Sequence, residues 1–314
     1  MTVQEMNAIT PEPKRLGKII STISNKGGVG KTVYSIEIAN QLSKHGKKVL
    51  LIDTDLNTGD ISIKLSLRPN GTLIDFLEKK ITSLEKLVIK KYNFDLIPGS
   101  GGSFRFANIN YFQKVKFIKA FKAISEKYDY TILDLGAGIE RTTLDFALSA
   151  DYTTIVTTPE DVQTGYGCAK AAAERMYELE NRLQEKDKTY RPKKEFSPLF
   201  VFNKSDKDLA HAIFSAIKKA TEVTKDKFGI EIQPKYLGSV EPEYKLFGKS
   251  YAQLHTPISV KFPHSGSGRS FQKMAHYYLM SEGKRSFKKK ESPINKIMRF
   301  FSNENNEQEI YAAN

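Results

Sequence analysis

Lys26-Gly27-Gly28-Val29-Gly30-Lys31-Thr32 is the stretch on which the reading of this 314-residue chain turns. Before it, Lys18–Ser24 is short, apolar and β-branched and reads as a strand; after it, Thr32–His45 reads as a helix. A glycine-rich strand-to-helix turn ending in Lys-Thr matches the phosphate-loop pattern G-x-x-x-x-G-K-[ST], except that Asn25 stands at the first glycine. Asn tolerates positive φ better than most residues, which keeps the turn accessible. Glycines let successive backbone N–H groups face one anion. The helix that opens here adds positive potential. Lys31 would reach the β- and γ-phosphates of a nucleotide, and the Thr32 hydroxyl would bind Mg2+. The bland alternative, a glycine turn before an ordinary helix, does not account for strand, helix and Lys-Thr together.

Working outward, Lys48–Asp53, Phe94–Pro98, Tyr130–Asp134, Thr153–Thr157 and Pro198–Asn203 read as further strands. Helical patterns fall between them, notably Gln113–Lys127, Thr164–Gln184 and Asp208–Lys227. Strands alternating with helices imply an α/β fold, a doubly wound and mostly parallel sheet with right-handed crossovers. Ligands in such sheets sit at the carboxyl ends of the strands. The expected organisation is a polar N-terminal arm (1–16), a phosphate-loop domain (17–282), a basic linker (283–291), an amphipathic helix (292–303) and a polar tail (304–314).

The additional lysine of the loop makes the resemblance specific. Lys26-Gly-Gly-Val-Gly-Lys31-Thr resembles the deviant phosphate loop of the MinD/ParA family of ATPases. That resemblance implies a homodimer sandwiching two ATP molecules, with Lys26 reaching the partner's nucleotide and Lys31 its own. Backbone and side chains of Gly27, Gly28, Val29, Gly30, Thr32 and Val33 would complete the phosphate cradle. In Leu51-Ile52-Asp53-Thr54-Asp55 the resemblance makes Asp55 the carboxylate that orients the attacking water and Asp53 a group near Mg2+. Tyr130-Thr-Ile-Leu-Asp134 is apolar up to one acid and matches a Walker B strand, where Asp134 would hold a Mg2+-bound water. The strand ending Asn203-Lys204 matches the place where the family reads adenine; a carboxamide can both donate to and accept from that ring. Gly136-Ala-Gly138-Ile and Phe94-Asp-Leu-Ile-Pro-Gly99 resemble the FlhG branch, the MinD-like regulators of flagellar number. Four positions depart from the family pattern: Val33, Glu37, Tyr166 and the order Glu241-Pro242.

The C-terminal stretch Ser292–Asn303 carries a helix start, with Ser292 as N-cap and Pro293 at the first helical position. At 100° per residue, Ile294, Ile297, Met298, Phe300 and Phe301 share one side, and basic residues Lys284–Lys290 lie just before it. So short a helix is marginal in water. Three readings stay open: an anionic membrane surface, packing on its own domain, and DNA. Large apolar side chains suit the first best, and the segment resembles the membrane-targeting tail of MinD and FlhG proteins.

The bulk composition agrees with a folded domain, 39% hydrophobic and 27% charged. The single cysteine, Cys168, excludes an intrachain disulfide, fits a reducing compartment and reads as packing. No apolar segment suits a secretory signal or approaches the roughly 20 residues of a bilayer span. The net charge of +13 favours an acidic partner surface. The combined expectation is a slow, partner-stimulated ATPase that uses ATP and Mg2+. It would be cytoplasmic, peripheral on the inner membrane face when ATP-bound, and governed by a regulatory protein such as a flagellar GTPase. A ParA-like ATPase that binds DNA and an ATP-binding scaffold with little turnover are the alternatives.

Overall fold

The computed structural model describes residues 17–55, 60–90, 92–99, 111–223, 229–242, 255–281, 293, 295 and 296. Among the described residues, ten strands run in chain order: β1 (Lys18–Ile23), β2 (Val49–Asp53), β3 (Ile89–Lys90), β4 (Asp95–Ile97), β5 (Tyr130–Asp134), β6 (Tyr152–Thr157), β7 (Glu195–Phe196), β8 (Leu199–Asn203), β9 (Glu231–Ile232) and β10 (Lys235–Val240). Eight form one sheet in the order β10-β8-β6-β1-β5-β2-β4-β3, and β7 pairs with β9 apart from it. All neighbours in the large sheet are parallel except β3 with β4. The central strands β1, β5 and β2 are almost wholly buried, the near-continuous apolar pattern expected of a parallel sheet covered on both faces.

The helices are α1 (Lys31–Lys44), α2 (Asp60–Lys64), α3 (Leu73–Leu77), α4 (Tyr111–Ser125), α5 (Arg141–Leu148), α6 (Val162–Lys186), α7 (Lys207–Val223), α8 (Ile258–Lys261) and α9 (Gly266–Ser281). Side chains alternate across each strand, so the sheet feeds two cores. Ile20, Leu51, Ile132 and Val201 pack with Tyr34 and Leu42 of α1 and Phe271 and Met274 of α9. Ile19, Leu50, Leu133 and Phe200 pack with Phe117 and Phe121 of α4, Phe146 of α5 and Ala169 and Ala172 of α6. The buried carboxylate of Asp145 (α5) is held by Lys114 (α4) and by Arg175 (α6), whose Nε lies 2.7 Å away. Leaving such a charge unpaired would be costly, so this trio fixes three helices on one face.

The doubly wound parallel sheet expected from the sequence is present. The strands anticipated from the sequence all appear, with ends shifted by a residue or so, and β3, β7, β9, β10 and α5 add to them. Among the described residues no helix is long and apolar enough to cross a membrane. The apolar residues assigned to the C-terminal helix (Ile294, Ile297, Met298, Phe300, Phe301), the arm 1–16, the linker 283–291 and the tail 304–314 lie outside the described residues.

Candidate nucleotide-binding site

β1, β5 and β2 end side by side, which sets the register of the site. Thr22 pairs with Asp134, and Asp134 pairs with Asp53. The loop after β1 turns at Gly28 (φ +79°) and Gly30 (φ +101°), conformations that only glycine adopts cheaply. Asn25 is not in the left-handed region, so the positive φ expected for it is not used; the glycines make the turn. The Ser24 hydroxyl donates to the Lys26 carbonyl at 2.7 Å, and Gly138 N–H donates to the Ser24 carbonyl at 3.0 Å. The loop after β5 is thereby tied to the loop after β1.

Lys31 and Thr32 begin α1 and are buried. Both act on Asp134: the Lys31 charge and the Thr32 hydroxyl favour its ionised form. Ser35, one turn further along α1, donates to Asp134 Oδ1 at 2.9 Å. The sequence reading missed Ser35; its place three residues after Thr32, on the same helix face, was the available signal. Burial nevertheless pushes the Asp134 carboxyl up to about 6, against the pull of Lys31, Thr32 and Ser35. Asp53 is likewise held well above the usual carboxylate range, by burial and by the charges of Asp134 and Asp55. It accepts N–H groups from Asp55 (3.0 Å) and Ile61 (3.3 Å).

Two buried carboxylates held above their ordinary values gain from a nearby cation. Asp134 Oδ2 is buried with no hydrogen-bond partner, which fits a Mg2+-bound water. Among the described residues no three His, Cys, Asp or Glu side chains form a metal cage. Asp55 is half-buried and faces Gly136: a Cβ at that glycine would lie 3.7 Å from Asp55 Oδ1. Thr54 locks the segment by donating through its N–H and hydroxyl to the Asp134 carbonyl at 3.0 and 2.8 Å.

The structure gives Lys26 a partner that sequence did not suggest. Its Nζ lies 2.6 Å from Asp161 Oδ1 at the start of α6. The contact lowers the Asp161 carboxyl from its usual value. Asn203 ends β8 beside the loop and donates from Nδ2 to the Val29 carbonyl at 2.8 Å. Lys204 follows it with φ +56°, a conformation rare outside glycine that re-aims the chain after the strand. Val33 is half-buried against the α1–α9 core.

Two other departures have structural explanations. Glu37 is fully buried and accepts the Ile258 and Ser259 N–H groups, so it caps α8. Tyr166 donates its hydroxyl to the Ala220 carbonyl at 3.1 Å, joining α6 to α7. Glu241 is exposed beyond β10.

The described part of the C-terminal segment touches the domain. Lys296 Nζ lies 3.2 Å from Glu180 Oε1 and also meets the Tyr190 hydroxyl. Pro293 and Lys296 border a groove with Leu148, Met176, Leu179 and Leu183.

Comparison with known proteins agrees with this geometry. The family described as AAA domain matches residues 17–186. The antiactivator FleN of Pseudomonas aeruginosa is 29% identical over 143 residues, 46% of this chain and 51% of that protein. The flagellum site-determining protein YlxH of Helicobacter pylori is 29% identical over 167 residues, 52% of this chain and 56% of that protein. The chain thus spans about half the length of the curated relatives it matches. In fold it is similar to the septum site-determining protein MinD of Pyrococcus horikoshii complexed with Mg-ADP. That likeness has a TM-score of 0.56 and 21% identity, covering 86% of this chain and 99% of the other.

Proposed function

The chain belongs to the AAA-domain family, in its MinD/ParA group of ATPases, and on that premise we propose that it is an ATP-driven dimerising switch that associates reversibly with an anionic membrane. The observation that carries the reading is the convergence of Lys31, Thr32 and Ser35 on Asp134, with Asp53 and Asp55 beside it, at the mouth of the glycine loop. Gly27–Thr32 cradle the phosphates with backbone N–H groups, and Lys31 neutralises charge on the β- and γ-phosphates. Thr32, Asp53 and Asp134 would hold Mg2+, which would neutralise charge on the phosphates. Asp55 orients the attacking water, Val33 supports the cradle, and Asn203 and Lys204 border the adenine.

Lys26 leaves Asp161 and reaches the nucleotide of a second copy, so ATP binding and dimerisation are one event. Dimerisation brings two C-terminal segments together, and Ile294, Ile297, Met298, Phe300 and Phe301 enter the lipid boundary with the added strength of two tethered contacts. The Lys296–Glu180 contact ties the start of this segment to α6. Similarity to a flagellum site-determining protein and to an antiactivator supports a role in placing or counting flagella, with turnover set by a regulatory protein.

The test measures phosphate release and sedimentation with ATP. Asp55→Ala is expected to bind ATP and persist as a dimer with little release. Lys26→Ala is expected to bind ATP and remain monomeric. Parental turnover in Asp55→Ala, or an ATP dimer of Lys26→Ala, overturns the assignment. Truncation after Glu291 is expected to keep ATP hydrolysis and lose stable vesicle binding. DNA binding without vesicle binding by the full chain would favour the ParA-like alternative.

A further inference from the structure

In a parallel sheet with right-handed crossovers, strand starts and helix C-termini share the edge opposite the phosphate loop. At one corner of that edge α6 ends and the chain runs Lys186-Asp187-Lys188-Thr189-Tyr190-Arg191-Pro192-Lys193-Lys194 into β7. Five of these nine residues are basic and one is acidic. All five basic residues are exposed.

Two nearby carboxylates hold the loop, and Lys193 faces a third, Asp151. Asp187 Oδ1 accepts the Thr189 N–H at 3.0 Å and its hydroxyl at 2.6 Å. Glu180, buried in α6, accepts the Tyr190 hydroxyl at 2.5 Å and the Lys193 N–H at 2.8 Å. Glu231 N–H donates to the Lys194 carbonyl at 2.8 Å, fixing the far end. Glu185 and Glu195 flank the loop without reversing its sign. The result is a backbone pinned from beneath, with Lys188, Arg191 and Lys194 exposed on its outer side.

The C-terminal segment lies at this same corner. Lys296 contacts Glu180 and Tyr190, the two side chains that anchor the loop, and its Nζ stands 4.8 Å from the Tyr190 ring centroid. The apolar residues Ile297, Met298, Phe300 and Phe301 follow at once in the sequence. We propose that the 186–194 loop is a second, electrostatic contact for an anionic lipid surface, placed beside the apolar C-terminal segment so that both meet one membrane. This rests on the membrane reading above. A lipid surface is favoured over nucleic acid because it alone accepts large apolar side chains next to the charges. The loop also offers no free aromatic ring for stacking, since Tyr190 is engaged by Glu180 and Lys296.

Each basic residue near such a surface strengthens binding about fivefold, and salt weakens the effect. The test uses the full chain with ATP and phosphatidylcholine vesicles, with and without phosphatidylglycerol. K188E/R191E/K194E lies far from the phosphate loop and is expected to keep the parental melting temperature and ATP hydrolysis. Its affinity for the anionic vesicles should fall by at least about tenfold at low salt, with the difference shrinking at high salt. The milder R191Q/K194Q, which guards against misfolding, should lose affinity in the same direction. Parental affinity in both variants overturns the loop contact while leaving the membrane reading intact. A parent that binds neither vesicle overturns both. Loss of duplex-DNA binding with vesicle binding unchanged overturns the lipid assignment in favour of nucleic acid.

Discussion

Replacing Gly30 by alanine adds one methyl group at the tightest point of the site. A Cβ there would stand 2.3 Å from Asn203 Nδ2 and 3.2 Å from its Cγ, and φ is +101°. An L-residue in the left-handed region costs about 1–2 kcal/mol. Displacing Asn203 also breaks its bond to the Val29 carbonyl, at about 0.5–1.5 kcal/mol. The sum, about 1.5–3.5 kcal/mol, corresponds to a melting temperature lowered by about 3–14 °C. Two neighbours serve as controls. Gly28 has φ +79° and nothing within 4 Å of its Cβ position, so Gly28→Ala bears only the conformational cost of about 1–2 kcal/mol. Gly27 has neither positive φ nor a neighbour within 4 Å, so Gly27→Ala should leave stability near the parental value. Scanning calorimetry without nucleotide orders the series. Because the additional loss in Gly30→Ala comes from Asn203, the G30A/N203A double variant should lose less than the sum of its singles. Strict additivity, or a Gly27→Ala as damaging as Gly30→Ala, refutes the contact between the loop and Asn203.

Lys31→Ala should abolish nucleotide binding by titration calorimetry while the fold persists; retained affinity would remove Lys31 from the phosphate cradle. Asp161→Ala frees Lys26 from its ion pair and should tighten the ATP-dependent dimer several-fold by sedimentation; a weaker dimer would mean that Asp161 supports the interface instead of restraining it. Asp151 is largely buried, accepts the Ile19 N–H at 3.0 Å, lies 3.6 Å from Lys18 Nζ, and has its carboxyl raised from 3.8 to about 6 by desolvation. Between those values the folded state holds more protons than the unfolded state. Stability therefore falls as pH rises from about 4 to about 6, by up to about 3 kcal/mol. Asp151→Asn should raise the melting temperature at pH 7, with the gain fading toward pH 4; a gain independent of pH would reject burial of the charge as the cause.

The central strands and the glycine loop were legible because they are local. β5 runs Tyr130–Asp134 as read, since an apolar run ending in one acid has few other uses. β10 was not visible: Lys235–Val240 contains Gly238, its register shifts beside that residue, and half-burial at the sheet edge leaves no clear alternation. α5 was hidden by the polar Arg141-Thr-Thr start. At the site, the residues tied to their own motif, Lys31, Thr32, Asp53, Asp55 and Asp134, are brought together by the structure. Contacts spanning long sequence separations were not readable. Lys26 meets Asp161 across 135 positions, and Asn203 meets Val29 across 174. Glu37 and Tyr166 depart from the family pattern in sequence, and in the structure one caps α8 and the other bridges α6 and α7.

Cys168 lies fully buried on α6, and burial pushes its thiol up to about 12. Neither the thiolate nor access for a reagent is supplied by the closed state, so alkylation must wait for α6 to separate from the sheet. As the chain has a single cysteine, its labelling rate is an unambiguous clock for that opening. The protein thus carries its own reporter of breathing beneath the phosphate loop, readable by mass spectrometry without any added label site. A ligand that closes the loop over Lys31 should slow that clock, and one that binds elsewhere should leave it running.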